Sequence, residues 1–172
     1  KKNGEAGITK ISDILINFGF KHFNENDLKT FLLSDKVFIY PDKTEKKLFN
    51  EIIHHYDIKF EWSKNHENKK TDFLFKVNKQ IFIMEHKHMK ETGGGQDKQM
   101  SEIINFIQYQ DQNAHYVSFL DGVYFNLLAN KEIISGKPFE QRNAIFQNLK
   151  VQKNNYFVNT LGFNELIKDL IK

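Results

Sequence analysis

Two carboxylates and an amine lie close together in the stretch "TDFLFKVNKQIFIMEHKH", residues 71–88. Asp72 opens one apolar run, and Glu85 and Lys87 close the next. Between the runs, Asn78-Lys79 has the composition of a tight hairpin turn. Side chains alternate faces along a strand. Glu85 and Lys87 therefore share a face with Ile81 and Ile83, while Met84, His86 and His88 point the other way. Folding the hairpin at Asn78-Lys79 brings Asp72 roughly across from Glu85 or Lys87. The three groups then converge at one end of a sheet.

Neighbouring carboxylates repel, and burying them is costly unless positive charge intervenes. A hard divalent cation supplies that charge. Mg²⁺ takes oxygen ligands and is commonly held by one or two carboxylates, with water and phosphate completing its shell. Asp72 and Glu85 are the candidate metal ligands, and the backbone carbonyl of His86 is a candidate third oxygen. Such a metal acidifies bound water and neutralises phosphoryl charge. Lys87 is placed to orient or help deprotonate the attacking water, or to stabilise charge building at phosphorus. This set of groups suits phosphodiester hydrolysis, with Mg²⁺ as the expected cofactor and Mn²⁺ as its substitute. The bland alternative is a charged edge that discourages strand-to-strand aggregation. It accounts less well for charges that begin only after "IFIM".

The flanking sequence supplies elements to hold this hairpin. "ITKISDILINFGF" and "NENDLKTFLLSD" have helical spacing, the second with candidate caps at Asn24, Asn26 and Asp27. "KVFIY" reads as a short strand. "DKTEKKLFNEIIHHY" reads as a helix whose Asp42 and Glu45 have capping-box spacing. "DIKFEW" alternates as a strand, and Asn78-Lys79 separates two more. The glycines Gly93–Gly95 read as a loop into a helix that begins near Gln96, with Met100, Ile103, Ile104 and Ile107 on its buried face. "HYVSFL", Asp121-Gly122 and "VYFNLL" form a second hairpin signal, and "PFEQRNAIFQNL" and "NELIKDLI" are closing helices. From Thr44 to Leu120 the order is helix, three strands, helix, strand: an α/β chain with a central mixed sheet flanked by helices. We expect a single domain over 1–172, with a core from about 42 to 128 and flanking helices over 8–35 and 138–171.

Asp72 followed by Glu85-His86-Lys87 resembles the D…(D/E)xK signature of the PD-(D/E)xK nuclease superfamily, which includes most type II restriction endonucleases. The element order from Thr44 to Leu120 resembles that superfamily's common core. Thr71 departs from the pattern, standing where the family often has Pro. The resemblance implies a restriction-endonuclease-like fold and a Mg²⁺-dependent DNA endonuclease, in first place a type II restriction enzyme or its catalytic domain. Asp72 and Glu85 would be metal ligands and Lys87 the catalytic lysine. It also implies double-stranded DNA as partner and a homodimer that cuts both strands. Many members carry an acidic residue on the first core helix; Glu45 is the candidate, with Glu51 behind it, and a helix-start role for Glu45 competes. The alternatives are a repair, mobile-element or junction-resolving nuclease of the same fold, and a non-catalytic nucleic-acid-binding domain.

Gln96 and Gln99 fall on the first turn of the helix after the glycines, where they can reach phosphate, a metal-bound water or a base edge. Lys90 and Lys98 are candidate phosphate contacts, and Gly94 offers room for a phosphate beside backbone N–H groups. The basic loop with Lys64, Lys69 and Lys70 is a weaker candidate. The glycines match neither a P-loop nor a dinucleotide fingerprint. His86 and His88 lack the further ligands a zinc site needs.

The composition fits this reading. The chain has 172 residues, 17 Phe and no Cys, so it can bury a core without disulfides, and it suits a reducing, cytoplasmic setting. Its net charge of +3 excludes a polycation but permits a local basic face. No apolar run approaches the roughly 20 residues that span a bilayer, so no membrane partner is expected. The chain begins without methionine, which leaves room for a longer parent chain.

Overall fold

The computed structural model describes residues 2–65, 70–90 and 94–172. Helix α1 (Lys2–Asn17) leads to strand β1 (Lys21–His22), helix α2 (Leu28–Leu33), strand β2 (Val37–Ile39) and helix α3 (Lys46–His55). A single helical turn, α4 (Trp62–Asn65), precedes strands β3 (Phe73–Val77) and β4 (Gln80–His88). Then come α5 (Gly94–Phe106), β5 (His115–Asp121), α6 (Tyr124–Ala129), α7 (Gly136–Val151), β6 (Tyr156–Val158) and α8 (Thr160–Leu170). The strands form one sheet in the order β1-β2-β3-β4-β5-β6. The middle strands β2, β3 and β4 are antiparallel, whereas β4, β5 and β6 run parallel. This is the α/β architecture expected: a mixed sheet with helices on both faces.

Both faces of β3 and β4 are covered, which is why these strands read as almost unbroken apolar runs. On one face Leu74, Ile81, Ile83 and Tyr116 pack with Leu48, Phe49 and Ile52 of α3 and with Trp62 and Phe106. On the other, Phe73, Phe75, Phe82 and Met84 pack with Ile11 and Leu15 of α1 and Phe163 and Ile167 of α8. Phe75 and Phe82 are cross-strand partners whose rings stack at 4.7 Å. The hairpin turns where the sequence indicates. Asn78 and Lys79 take φ values of 50° and 65°, the left-handed pair that a two-residue turn of this twist requires. Asn78 also donates its side-chain amide to the Leu170 carbonyl at the end of α8.

Lys76 is the polar residue inside this apolar block. It is buried, and its ammonium donates to the carbonyls of Phe31 and Leu32 at 3.0 and 2.8 Å. A cation in the last turn of α2 satisfies carbonyls that the helix leaves open and meets the negative end of its dipole.

Several elements differ from the sequence reading. "DIKFEW" is not a strand, because Asp57 and Phe60 take φ values of 51° and 40° that interrupt an extended backbone. The antiparallel trio is instead β2, β3 and β4, with α3 and α4 inserted between the first two. Asp42 does not cap α3; its carboxylate accepts from the Lys70 N–H at 3.0 Å, and the N-cap position falls on Glu45. Asp27 does cap α2, accepting from the N–H groups of Lys29 and Thr30. Gly94 and Gly95 lie inside α5, not in a loop before it, and Gly93 lies outside the described residues. Asp121-Gly122 ends β5, but "VYFNLL" becomes α6, whose Tyr124 and Leu128 are buried with Ile145 of α7. Strands β1 and β6 are too short to carry a periodic signal.

Gly122 is pressed against the exit of β4. Its φ is +100°, and a Cβ at this position would lie 2.1 Å from the Met89 carbonyl oxygen. Met89 in turn donates its N–H to Asp121 at 2.8 Å, which locks the exits of β4 and β5 together. Gly122→Ala should therefore lower unfolding free energy by about 2–4 kcal/mol. Urea denaturation would show this as a lower midpoint at unchanged slope.

Candidate active site

The candidate site forms at the end of the sheet where β3 begins and β4 and β5 end. The last ladder pair of the hairpin is Phe73 with Met84, so one further residue sets Asp72 across from Glu85. Both belong to the sheet face that carries Leu74 and Ile83, the face covered by α3 and α5. An Asp72 oxygen accepts the backbone N–H of His86 at 2.9 Å, which pins the carboxylate against β4. Thr71 is fully buried, and its hydroxyl donates to the Phe73 carbonyl. A hydroxyl bond thus stiffens the entry to β3.

Glu85 has no exposed surface. Its neighbour across the parallel pair is Ser118, a small residue whose hydroxyl donates to the Ile103 carbonyl of α5 at 2.6 Å. Lys87 lies on the same face, mostly buried, with its ammonium 3.5 Å from Glu85 Oε2 and 3.1 Å from Glu102 Oε2. Glu102 belongs to α5 and was not singled out by the sequence. Met100, Ile103, Ile104 and Ile107 mark the buried stripe, but spacing alone does not reveal that a glutamate flanking the stripe leans back to β4.

His86 and His88 face away from Glu85 and Lys87, as alternation requires. His86 is buried against α1, where a Cβ on Gly7 would lie 1.9 Å from its Nε2. That nitrogen has no hydrogen-bond partner among the described residues. Its Nδ1 lies 3.9 Å from the Asp72 carboxylate. Burial pushes the imidazole below its usual range, and Asp72 opposes that shift. His88 Nδ1 is 3.6 Å from Asp121, which also takes a 2.5 Å hydrogen bond from Lys10 of α1. Among the described residues, no group of three or more His, Asp or Glu side chains is arranged to hold a metal.

The remaining candidates are distributed as follows. Glu45 is buried, and its carboxylate accepts from the Tyr40 N–H at 2.8 Å and from the Thr44 hydroxyl at 2.5 Å. His22 Nε2 is 3.3 Å away. These contacts hold Glu45 to β1 and the Tyr40–Thr44 turn, whereas Asp72, Glu85 and Lys87 are joined to one another through β4. Glu51 is paired with Lys47 on the outside of α3. Gln96 is partly buried near the start of α5, and its Oε1 has no partner among the described residues. Gln99, Lys90 and Lys98 are exposed. Of the basic loop, Lys69 lies outside the described residues, Lys64 pairs with Glu61, and Lys70 stands 5.7 Å from the centre of the Phe49 ring.

The model of the Tsp45I type II restriction enzyme family matches residues 11–167, from α1 through α8. The chain belongs to this family. As a Tsp45I-type restriction enzyme it is an endonuclease, a hydrolase that acts on DNA. The match includes the whole sheet and the entire stretch from Asp72 to Glu102. No curated protein and no solved structure matches the chain significantly. No helix among the described residues is long and apolar enough to cross a membrane.

The burial of His86 predicts a pH dependence of stability. The imidazole is held below its unfolded value of about 6.5, so the unfolded chain takes up the proton first as pH falls. Stability is then fully present above pH 6.5 and declines as pH drops through that value toward the folded pKa. Urea midpoints measured between pH 7.5 and 5 should fall, and His86→Gln should flatten that slope.

Proposed function

We propose that this restriction enzyme cleaves duplex DNA by the PD-(D/E)xK arrangement, with Asp72 and Glu85 as Mg²⁺ ligands and Lys87 as the catalytic lysine. The observation that carries the reading is the junction of β3 and β4. The Asp72 carboxylate is bonded to the His86 N–H, Glu85 is enclosed across from it, and the Lys87 ammonium lies beside Glu85 on the same face.

The donor set fits a hard cation. It consists of carboxylate oxygens, and the buried imidazole of His86 lies mainly on the opposite face. Mg²⁺ asks for only one or two protein carboxylates, with water and substrate phosphate completing the shell. The backbone carbonyl of His86 is the proposed third oxygen. When bound, the metal would acidify a water and offset phosphoryl charge, and Mn²⁺ would substitute. The chain's own residues have separate tasks. Asp72 and Glu85 hold the ligand oxygens at fixed spacing. Lys87 orients the attacking water and stabilises negative charge at phosphorus.

Gln96, whose buried Oε1 has no partner among the described residues, suits a bound water better than a base edge. The exposed Gln99, Lys90 and Lys98 suit the DNA backbone, and the helical start at Gly94 gives phosphate access to α5 N–H groups. Glu45 belongs to the proposal only as an outer acidic group, since its carboxylate is already occupied by Tyr40, Thr44 and His22. The described residues act as one nuclease domain in the cytoplasm, and two copies act together so that both strands are cut.

Incubation with plasmid and bacteriophage DNA tests the chemistry. Cleavage should require Mg²⁺, stop with EDTA and resume with Mn²⁺. Asp72→Asn and Glu85→Gln should each slow it by at least about 100-fold, while Glu45→Gln retains it. Loss of activity in Glu45→Gln alone, with Asp72→Asn active, would move the centre to α3. Light scattering should give twice the chain mass; a monomer that cuts both strands would contradict the paired arrangement.

A further inference from the structure

We propose that Glu102 is the positioning residue for Lys87, an assignment that rests on Lys87 acting as described above. The Lys87 ammonium has two carboxylates close by, Glu85 at 3.5 Å and Glu102 at 3.1 Å. They come from different elements. Glu85 is two residues away on the same strand, whereas Glu102 reaches over from α5. Only the second is independent of whatever Glu85 does.

That independence matters because Glu85 has two claims on it. As a metal ligand, its carboxylate is committed to the cation, and a dication nearby repels the lysine ammonium. Lysine is a point charge on a flexible four-carbon stem, so an ammonium without an anchor would swing toward solvent. Glu102 keeps a negative charge on the far side of the ammonium and holds it at the face where Glu85 stands. The turn of α5 that bears Glu102 is itself fixed. Ser118 of β5 bonds the Ile103 carbonyl at 2.6 Å, and Asn148 of α7 bonds the Ile104 carbonyl at 2.8 Å. Glu102 and Lys87 have side-chain exposures of 18% and 16%, so the pair is shielded more than a surface ion pair.

Glu102→Gln and Glu102→Asp test this, with wild type and Lys87→Ala alongside. Single-turnover cleavage of a plasmid that the wild type cuts should slow about 10- to 100-fold in Glu102→Gln, the scale of misplacing a catalytic group by an ångström or so. Glu102→Asp should recover part of the rate. Duplex affinity measured with Ca²⁺ and the Mg²⁺ concentration for half-maximal rate should stay within twofold. In metal-free protein, the Lys87 ammonium ¹H–¹⁵N signal, assigned through its loss in Lys87→Ala, should be visible in wild type and broadened away in Glu102→Gln. An unchanged ammonium signal or an unchanged rate overturns the assignment. A shifted Mg²⁺ midpoint would make Glu102 a ligand instead, and a weakened duplex affinity would make it a DNA contact; either overturns it. Wild-type activity in Lys87→Ala would instead remove the parent reading of Lys87.

Discussion

Glu85 has no surface in water, and a carboxylate in that position persists only where positive charge or hydrogen-bond donors surround it. The architecture around it follows from this demand. Strand β4 sits in the middle of the sheet, antiparallel to β3 and parallel to β5, so its exit is fixed from both sides. The β3 side brings Asp72, and the β5 side brings the small Ser118, which leaves room for the buried carboxylate and ties down α5. Lys87 supplies charge from two residues further along. A slip of one residue in either pairing would turn Glu85 and Lys87 to the opposite face, where α1 and His86 now pack.

The pairing that sets Asp72 across the hairpin from Glu85 was legible because it depends on local rules. Alternation along β4 and the turn at Asn78-Lys79 are enough to set Asp72 opposite Glu85 and to separate Lys87 from His86. What escaped the sequence depends on long-range packing. The run from Asp57 to Trp62 alternates like a strand, but two left-handed residues and the burial of Trp62 against Phe106 fold it away from the sheet. "VYFNLL" has strand-forming residues, yet it follows a Gly122 pressed against the Met89 backbone and finds its burial as a helix on α7. Glu102 reads as one more charged residue on a helix until β4 is placed beside it. Asn155 is similar: a buried side chain that bonds Tyr116, Ile107 and Tyr109 and so fastens β5 to the end of α5, with no local signal at all.

The two faces of β4 serve different purposes at the same end of the sheet. One turns Glu85 and Lys87 toward α5, where Glu102 meets the lysine. The other presents His86 and His88 to α1, where Gly7 allows the imidazole to approach and Lys10 joins His88 in binding Asp121. Helix α1 thus braces, from behind, the strand that carries Glu85 and Lys87. The three glycines after β4, conspicuous in the sequence, turn out to belong in part to the helix itself. Two of them form the first turn of α5, so the strand hands over to the helix within a few residues.

The bond from Asn78 to Leu170 places the end of α8 beside the hairpin turn, while Gly7 and Lys10 place the beginning of α1 beside the exit of β4. The two ends of the chain therefore leave the sheet from opposite poles. A partner domain or affinity tag joined after Lys172 would stand at the hairpin-turn pole, away from the exit of β4. The same cargo joined before α1 would emerge at the pole where β4 and β5 end, behind the strand that carries Glu85 and Lys87.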